Sequence, residues 1–275
     1  MQVHTGAQRS LLSHALQPFF NALQYRELIL VILGRELYQR FRASYFGWVW
    51  SVAAPLLMLY VFVTLFSQTL KVQSGIEVNF ALGMFIGLIF FNAFAELITR
   101  APMLLSEHVN FIKKSIFPSE VLAWTSALRS LTYAGISFCV FLLFEIYILG
   151  GIPWTALMFP LLLPPFIMML LGWTWLLAAL GAFTRDVSFM IATITPVLIF
   201  ATPVFYSIQN VPFRERLLSL LNPVAPYIEM AREIFLLGQP FDLPTYGIAW
   251  AFSLFIFYFG YYFFMRFRSI TVDVI

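Results

Sequence analysis

The side chains that could perform chemistry are few in this sequence, and they are not grouped. The histidines are His4, His14 and His108, and the aspartates are Asp186, Asp242 and Asp273. The chain therefore contains neither the HExxH pattern of zinc hydrolases nor the paired aspartates of metal-dependent sugar transferases. No lysine follows a glycine-rich loop and no serine lies in a GxSxG motif. We therefore expect no nucleotide site, no metal site and no catalytic residues in this chain.

The composition of the chain explains why such groups are rare. Of its 275 residues, 61% are hydrophobic and only 11% are charged, whereas roughly a quarter of a soluble domain is charged. A soluble domain of this size cannot bury so much apolar surface. We predict an all-α integral membrane protein and exclude a soluble enzyme, a nucleic-acid-binding domain and a disordered chain. The single cysteine, Cys139, is expected to be a small buried hydrophobe.

Apolar runs of about 20 residues, the length that crosses a bilayer, predict six transmembrane helices. Residues 46–275 would form the transmembrane domain, and residues 1–45 the cytoplasmic N-terminus. Apolar and charged side chains mix over residues 16–44, which predicts an amphipathic helix in the membrane interface. Met1 to Gln17 lacks an apolar core, so we expect no cleavable signal peptide. The six spans cover about 46–70, 80–103, 121–149, 155–183, 188–206 and 245–265.

The distribution of lysine and arginine predicts the orientation of the chain. With the N-terminus inside, eleven of these residues fall on the cytoplasmic side and four on the outside. Both termini and the loop over residues 104–120 are therefore expected in the cytoplasm, and residues 207–244 outside. The outer segment combines several prolines with short apolar stretches. Two interpretations stay open for it, namely helices that re-enter the outer leaflet and an ordinary extracellular loop.

Three charged residues lie inside predicted spans and are candidates for function, because charge in a bilayer is costly. Glu145 is near the outer end of span three, where we expect it to reach water. For Glu96 and Arg129 two arrangements are possible. In the simpler one, Glu96 pairs with Arg100 one turn later and Arg129 extends to the headgroups. In the other, Glu96 and Arg129 form a pair that joins spans two and three.

Helical spacing places small and hydroxyl-bearing residues on one face of spans one and five. Lipid offers hydroxyl groups no hydrogen-bond partner, so these faces should turn inward. They can line a channel or allow helices of one subunit to pack closely. The face of span five holds Ser188, Ala192, Thr195, Ile199, Thr202 and Tyr206, and that of span one holds Ala53, Tyr60, Thr64 and Ser67. As channel-lining candidates we select Tyr60, Thr64, Ser67, Thr195, Thr202 and Tyr206.

Three motifs in the chain are distinctive: RFRASYFGWVWSVAAPLL at 40–57, TPVFYS at 202–207 and NPVAPYIEMARE at 222–233. Together they resemble the membrane-spanning subunits of ABC exporters for bacterial surface polysaccharides such as O-antigen, capsule and teichoic acid. The resemblance covers nearly the whole chain in order. Relatives often carry a histidine in the third motif where this chain has Pro226, so a role for that histidine is not expected here.

The resemblance implies that this chain works as part of an assembly with other subunits. Two copies of the chain would join two separate ATPase subunits, which would hold ATP and magnesium, so this chain would be neither an enzyme nor a cofactor-binding protein. The pair would enclose a channel for a lipid-linked glycan in the bacterial inner membrane, with spans one and five at the dimer axis and no nucleic-acid partner. Residues 104–118 would hold the coupling helix that docks on the ATPase. Within this segment Glu107, His108, Asn110, Lys113 and Lys114 are the candidates for ATPase coupling, and the alternative is a solvated loop. The candidates of the outer re-entrant motif are Asn222, Glu229, Arg232 and Glu233.

Two other functions remain possible from the sequence. One is an ABC permease for drugs or small lipids. The other is a membrane-embedded enzyme or scaffold of envelope biogenesis. The abundance of aromatic residues, 19% of the chain, favours the glycan exporter because sugar rings stack on aromatic faces, although aromatic side chains also face lipid.

Overall fold

The computed structural model describes residues 11–42, 44–69, 76–109, 117–206 and 222–274, and every regular element in these ranges is helical. The predicted all-α class is therefore confirmed. Short 3-10 turns at Ala101–Met103 and Trp154–Met158 precede α5 and α7. The helices are α1 Leu11–Gln24, α2 Arg26–Phe41, α3 Val49–Thr69, α4 Ile76–Arg100, α5 Leu104–Glu107, α6 Val121–Leu149, α7 Phe159–Phe183, α8 Asp186–Ala201, α9 Ala225–Phe235 and α10 Leu243–Val274.

Four helical stretches in the described ranges are long and apolar enough to cross a membrane. They correspond to predicted spans two, three, four and six. Shorter apolar helices, Val49–Thr64 and Asp186–Ala201, stand at predicted spans one and five. The 16 residues of α8 extend about 24 Å, which is less than the hydrocarbon core of about 30 Å. The four long stretches are Phe80–Glu107, Val121–Leu149, Trp154–Phe183 and Leu243–Arg268.

The helix α4 forms the centre of the fold. Residues 81–91 are all buried, because this helix is apolar on every face and is surrounded by α3, α6, α8 and α9. Two glycines permit the approach of α9. A side chain at Gly83 would meet Leu236, and one at Gly87 would meet Ile228 and Arg232.

The helices α7 and α10 pack with their backbones in contact. A Cβ atom added to Gly260 would overlap the backbone of Gly172, and one added to Gly172 would overlap Ile256. Small residues allow this approach, which is a common way for helices to associate in a bilayer. Trp175 is fully buried nearby, and its indole nitrogen donates a hydrogen bond to the carbonyl oxygen of Glu120 at 3.1 Å.

The amphipathic segment at the N-terminus is divided into α1 and α2, which meet at Tyr25. In α1, the ring of Phe19 packs against Trp124 and Phe257. In α2, Ile29, Ile32 and Glu36 are buried on one face, whereas the apolar side chains of Leu30, Val31 and Tyr38 are exposed. The location of this segment in the membrane interface stays a prediction.

The expectation that Cys139 is buried is wrong, because this residue is exposed on α6. Gly135 and Leu143, one turn before and one turn after it, are exposed as well. This face of α6 is not covered by another helix within the described ranges, so the cysteine lies on an outward-facing stripe.

Candidate transport site

A buried carboxylate, Glu36 of α2, is the centre of an ionic cluster at the end of the molecule predicted to be cytoplasmic. Its side chain is 5% exposed, and its Oε2 accepts a hydrogen bond from Nη1 of Arg100 at 2.8 Å. Nε2 of His108 lies 3.3 Å from Oε1, and Nε of Arg129 lies 3.6 Å from Oε2. A buried carboxylate of this kind is stable only when positive groups compensate it.

The second carboxylate of the cluster is Glu96 of α4. Nη2 of Arg129 lies 3.1 Å from Glu96 Oε1, and Nη1 of Arg40 lies 3.3 Å from the same oxygen. The pair joining predicted spans two and three is therefore present. The simpler local arrangement is wrong, because Arg100 makes its ion pairs with Glu36 and with Glu107, the latter at 2.9 Å.

Sequence reasoning missed Glu36 and Arg40, because both lie in the segment interpreted as an interfacial helix. A signal was present, however. Glu36 and Arg40 are four residues apart on α2, and Glu96 and Arg100 are four residues apart on α4. Two helices with acid and base at this spacing can form two crossed pairs when they lie side by side.

The environment of Glu36 keeps it ionised. Burial by itself would raise the pKa of this carboxyl group, but the contact with His108 and the charges of Arg100 and Arg129 outweigh burial and hold the pKa below its ordinary value. The positive groups around Glu36 therefore favour its negatively charged form.

Two of the residues assigned to ATPase coupling, Glu107 and His108, belong to this cluster. Glu107 is 38% exposed and pairs with Arg100. His108 is buried, with Nδ1 3.0 Å from the carbonyl oxygen of Leu104. Both side chains therefore contact their own chain. The other three assigned residues, Asn110, Lys113 and Lys114, lie outside the described residues.

A cavity of about 1000 Å³ extends from this cluster between α2, α3, α4 and α6. Arg40 forms part of its polar end, and its guanidinium carbon lies 4.0 Å from the centre of the Tyr133 ring. The walls farther along α3 and α4, at Met58 and Phe85, are apolar. The cavity therefore changes from charged to apolar along its length.

The two helix faces assigned to a channel, on α3 and α8, differ in their surroundings. No residue of α8 is buried by the part of the chain that the structure describes. Thr195 on this helix donates to the carbonyl oxygen of Ile191 at 2.7 Å. On α3, Tyr60 is exposed, and Thr64 donates to its carbonyl oxygen at 2.9 Å. The side chain of Ser67 lies outside the described part.

Thr202, by contrast, is buried at the C-terminal end of α8, where it contacts the NPVAP motif. Nδ2 of Asn222 donates to Thr202 Oγ1 at 2.7 Å, and Oδ1 of Asn222 accepts from the backbone N–H of Val224 at 2.9 Å. Asn222 therefore fixes the turn before α9 against the end of α8.

Arg232 holds the same region together from α9. Its Nε donates to the carbonyl oxygen of Gly83 at 3.0 Å, and Nη1 donates to that of Tyr206 at 2.9 Å. Nη2 donates to the carbonyl oxygen of Val204 at 2.7 Å, and Glu229 supplies a carboxylate 3.0 Å away. This one side chain connects α4, the segment after α8, and α9.

The environment of Glu233, the last residue assigned to the outer motif, disfavours its charged form. Burial raises its pKa, a hydrogen bond from the backbone of Asp242 opposes this, and the nearby charges of Glu229 and Asp242 raise the pKa further. Its Oε2 is buried without a hydrogen-bond partner among the described residues.

The expectation that Glu145 reaches water is wrong. Its exposed fraction is 0%, and neither carboxylate oxygen has a hydrogen-bond partner in the ranges that the structure covers. Ile146 and Tyr147, which follow it on α6, are exposed. Glu145 therefore lies on the face of α6 that turns into the protein, which its position near the end of the span did not reveal.

These features define a class of protein: a multi-pass helical membrane protein with paired charges at one end and, within the described residues, a largely uncovered short helix, α8. Residues 27–236 match the model of the family described as ABC-2 type transporter. The chain belongs to this family, and the resemblance to ABC exporter membrane subunits is confirmed.

Named relatives are consistent with this membership. The chain is 28% identical over 215 residues to the O-antigen export system permease protein RfbA of Myxococcus xanthus, an alignment that covers 77% of this chain and 81% of the relative. It is 24% identical over 214 residues to the O-antigen export system permease protein RfbA of Klebsiella pneumoniae, with the same coverage of both chains.

Proposed function

We infer that this chain is the channel-forming subunit of an ATP-driven exporter that moves a lipid-linked surface polysaccharide of the O-antigen type across the bacterial inner membrane. The observation that carries this proposal is the family match over residues 27–236, together with permease relatives aligned over 77% of the chain. The named relatives belong to O-antigen export systems, which favours a glycan over a drug or a small lipid as the cargo.

The proposed assembly contains two copies of this chain and two ATPase subunits, which bind ATP and magnesium. Each copy crosses the membrane six times with both termini in the cytoplasm. The charge asymmetry of eleven basic residues against four supports this orientation. The outer segment that includes α9 re-enters the membrane region, a proposal supported by the seven buried residues of this 11-residue helix.

The proposed channel lies where two copies meet along α3 and α8. Apolar side chains of both helices are exposed in the single chain, including Leu57 on α3 and Phe189 and Val197 on α8. Tyr60 is exposed, whereas Thr195 is half-buried and its Oγ1 lies 3.5 Å from Oγ1 of Thr99 on α4. These two are the described candidates that remain accessible to the path.

Coupling to the ATPase is proposed for residues 104–118. The contacts of Glu107 and His108 support a role in transmission, since both connect this segment to Glu36 and Arg100. A displacement of the segment would therefore act on α2 and α4 through ion pairs that are partly removed from water.

Reconstitution tests the proposed function. The chain is co-purified with the ATPase that is encoded beside it and placed in liposomes. Hydrolysis of ATP should rise when lipid-linked polysaccharide is added, and the glycan should become accessible to a lectin on the opposite side. Stimulation by drugs or short lipids alone would favour the small-molecule permease, and the absence of any associated ATPase would favour a scaffold or an enzyme.

A further inference from the structure

The cavity beside the ionic cluster has the length of one lipid leaflet. Along α4 it extends from Arg100 to Phe85, a separation of fifteen residues or about 22 Å along a helix. Half of a bilayer, with its headgroup region included, measures about 20–22 Å. The charged end of the cavity therefore lies at headgroup depth when its apolar end reaches the middle of the bilayer.

The charged end presents both signs. Arg40 and Glu96 are its most accessible charges, with side chains 48% and 26% exposed, and Arg129 lies between them and Glu36. An anionic headgroup placed here would meet the two carboxylates as well as the guanidinium groups. A zwitterionic headgroup can match both signs, because its phosphate and its amine are covalently joined.

Asn92, a polar residue farther along the cavity, has an amide group that can form hydrogen bonds with a ligand. Asn92 is exposed although its neighbours on α4 are buried, and its side chain lines the cavity. Its amide makes no hydrogen bond with any residue of the described ranges. An unsatisfied amide inside a bilayer costs several kcal/mol. A ligand with hydrogen-bond acceptors at this depth would satisfy it, and the ester carbonyls of a glycerophospholipid lie about one helical turn below the headgroup.

We propose that the cavity binds one zwitterionic phospholipid with a primary amine, phosphatidylethanolamine, from the adjacent leaflet. The phosphate lies beside Arg40 and Arg129, the ammonium beside Glu96, and the ester region beside Asn92. One acyl chain packs along the apolar walls. A guanidinium group binds phosphate through two parallel hydrogen bonds, and a primary ammonium group donates hydrogen bonds to a carboxylate.

Phosphatidylcholine fits this site less well. Its trimethylammonium group donates no hydrogen bond to Glu96 and binds instead to uncovered aromatic rings. The Tyr133 ring in the cavity is covered by the guanidinium group of Arg40, whereas Trp50, which is 48% exposed and also lines the cavity, can contact such a cation. The preference for phosphatidylethanolamine therefore rests on the hydrogen bonds that its ammonium group donates to Glu96, whatever cargo the exporter carries.

Native mass spectrometry of the full-length chain in a mild detergent tests the proposal. Equal amounts of phosphatidylethanolamine, phosphatidylcholine and phosphatidylglycerol are offered, and the lipids retained per chain are counted. One phosphatidylethanolamine should be retained about tenfold more tightly than either other lipid, as expected for a hydrogen bond to a charged group. Equal or tighter retention of phosphatidylglycerol, or of undecaprenyl phosphate added in the same way, would overturn it.

Two matched pairs of variants locate the site. Ala134→Phe fills the cavity, while Gly135→Phe adds the same ring next to it, where an added Cβ has no heavy atom within 4 Å. Only the first should abolish retention. Glu96→Gln should remove most of the preference over phosphatidylcholine, and Glu27→Gln on the exposed face of α2 should leave it unchanged. Retention of phosphatidylethanolamine by Ala134→Phe at the wild-type level would contradict the assignment even if Glu96→Gln were unstable.

Discussion

The guanidinium group of Arg232 donates a hydrogen bond of 2.7 Å to the carbonyl oxygen of Val204, which lies just beyond the end of α8. The chain leaves the helical conformation at Thr202, whose ψ is 139°. The carbonyl groups that follow therefore lack helical partners. Arg232 supplies donors to two of these groups and to Gly83 of α4. The C-terminal end of α8 is thus held by Arg232 of α9 as well as by Asn222.

The first prediction concerns Arg232. Arg232→Gln leaves several buried carbonyl groups without donors, so we expect the free energy of unfolding to fall by at least about 3 kcal/mol, and Arg232→Lys to have a smaller effect. Hydrogen exchange measured by mass spectrometry should increase over residues 202–206. Arg185→Gln, at an exposed arginine before α8, is the control. Unchanged exchange over residues 202–206 in Arg232→Gln would show that other contacts hold this segment.

The second prediction concerns Glu96 and Arg129. Each neutralisation alone leaves the other charge partly buried, so each should lower the free energy of unfolding by roughly 1–3 kcal/mol, less than for a fully buried pair. The double variant Glu96→Gln, Arg129→Gln should recover part of the loss. Thermal unfolding in detergent gives the coupling energy of the double-mutant cycle. Losses that simply add would show that the 3.1 Å contact carries no net interaction.

The third prediction concerns the pH dependence of stability that Glu36 contributes. Its folded pKa is lower than its ordinary value. The stabilisation is therefore fully present above the unfolded pKa of about 4.3, and it is lost as the pH falls through the folded pKa. Wild type should be more stable than Glu36→Gln at pH near neutrality, and the difference should shrink in acid. Glu27→Gln, on the exposed side of the same helix, should show no such convergence.

The fourth prediction concerns coupling. Glu107→Lys replaces the ion pair with Arg100 by a repulsion at the segment proposed to dock on the ATPase. The reconstituted exporter should still hydrolyse ATP, but export per ATP should fall, and the same should follow from Lys113→Glu. Glu107 is 38% exposed, and substitutions at exposed positions rarely unfold a protein, which normal abundance in the membrane would verify. Full export by the double variant Glu107→Lys, Lys113→Glu would remove this segment from the coupling route.

The fifth prediction distinguishes the roles of Thr195 and Thr202, which the sequence placed on the same face of span five. Thr195 is half-buried, so Thr195→Trp should leave the chain folded and obstruct the proposed path. Thr202 is 1% exposed and accepts a hydrogen bond from Asn222, so Thr202→Trp should instead destabilise the contact between α8 and the NPVAP motif. Export and the midpoint of thermal unfolding distinguish the two effects. Normal export by Thr195→Trp would place the channel elsewhere.

Several parts of the fold could be predicted from the sequence, because they depend on properties that are local to the chain. Long and mostly apolar runs predicted the four long helices, and the cost of charge in a bilayer drew attention to Glu96 and Arg129. Glu36 was not predicted, since its partners lie on α4 and α6, and only the packing of three helices reveals them. The burial of Glu145 and the exposure of Cys139 depend on how α6 is rotated, which a helix apolar on all faces does not show.

The contact between Gly172 and Gly260 determines which parts of the subunit can move. Backbones that already touch cannot approach further, and any larger side chain at either position would separate α7 from α10. We therefore expect these two helices to form a rigid frame of the subunit, one that keeps its shape through a transport cycle. The rearrangements of that cycle would therefore fall on α3 and α8, which their own chain covers least.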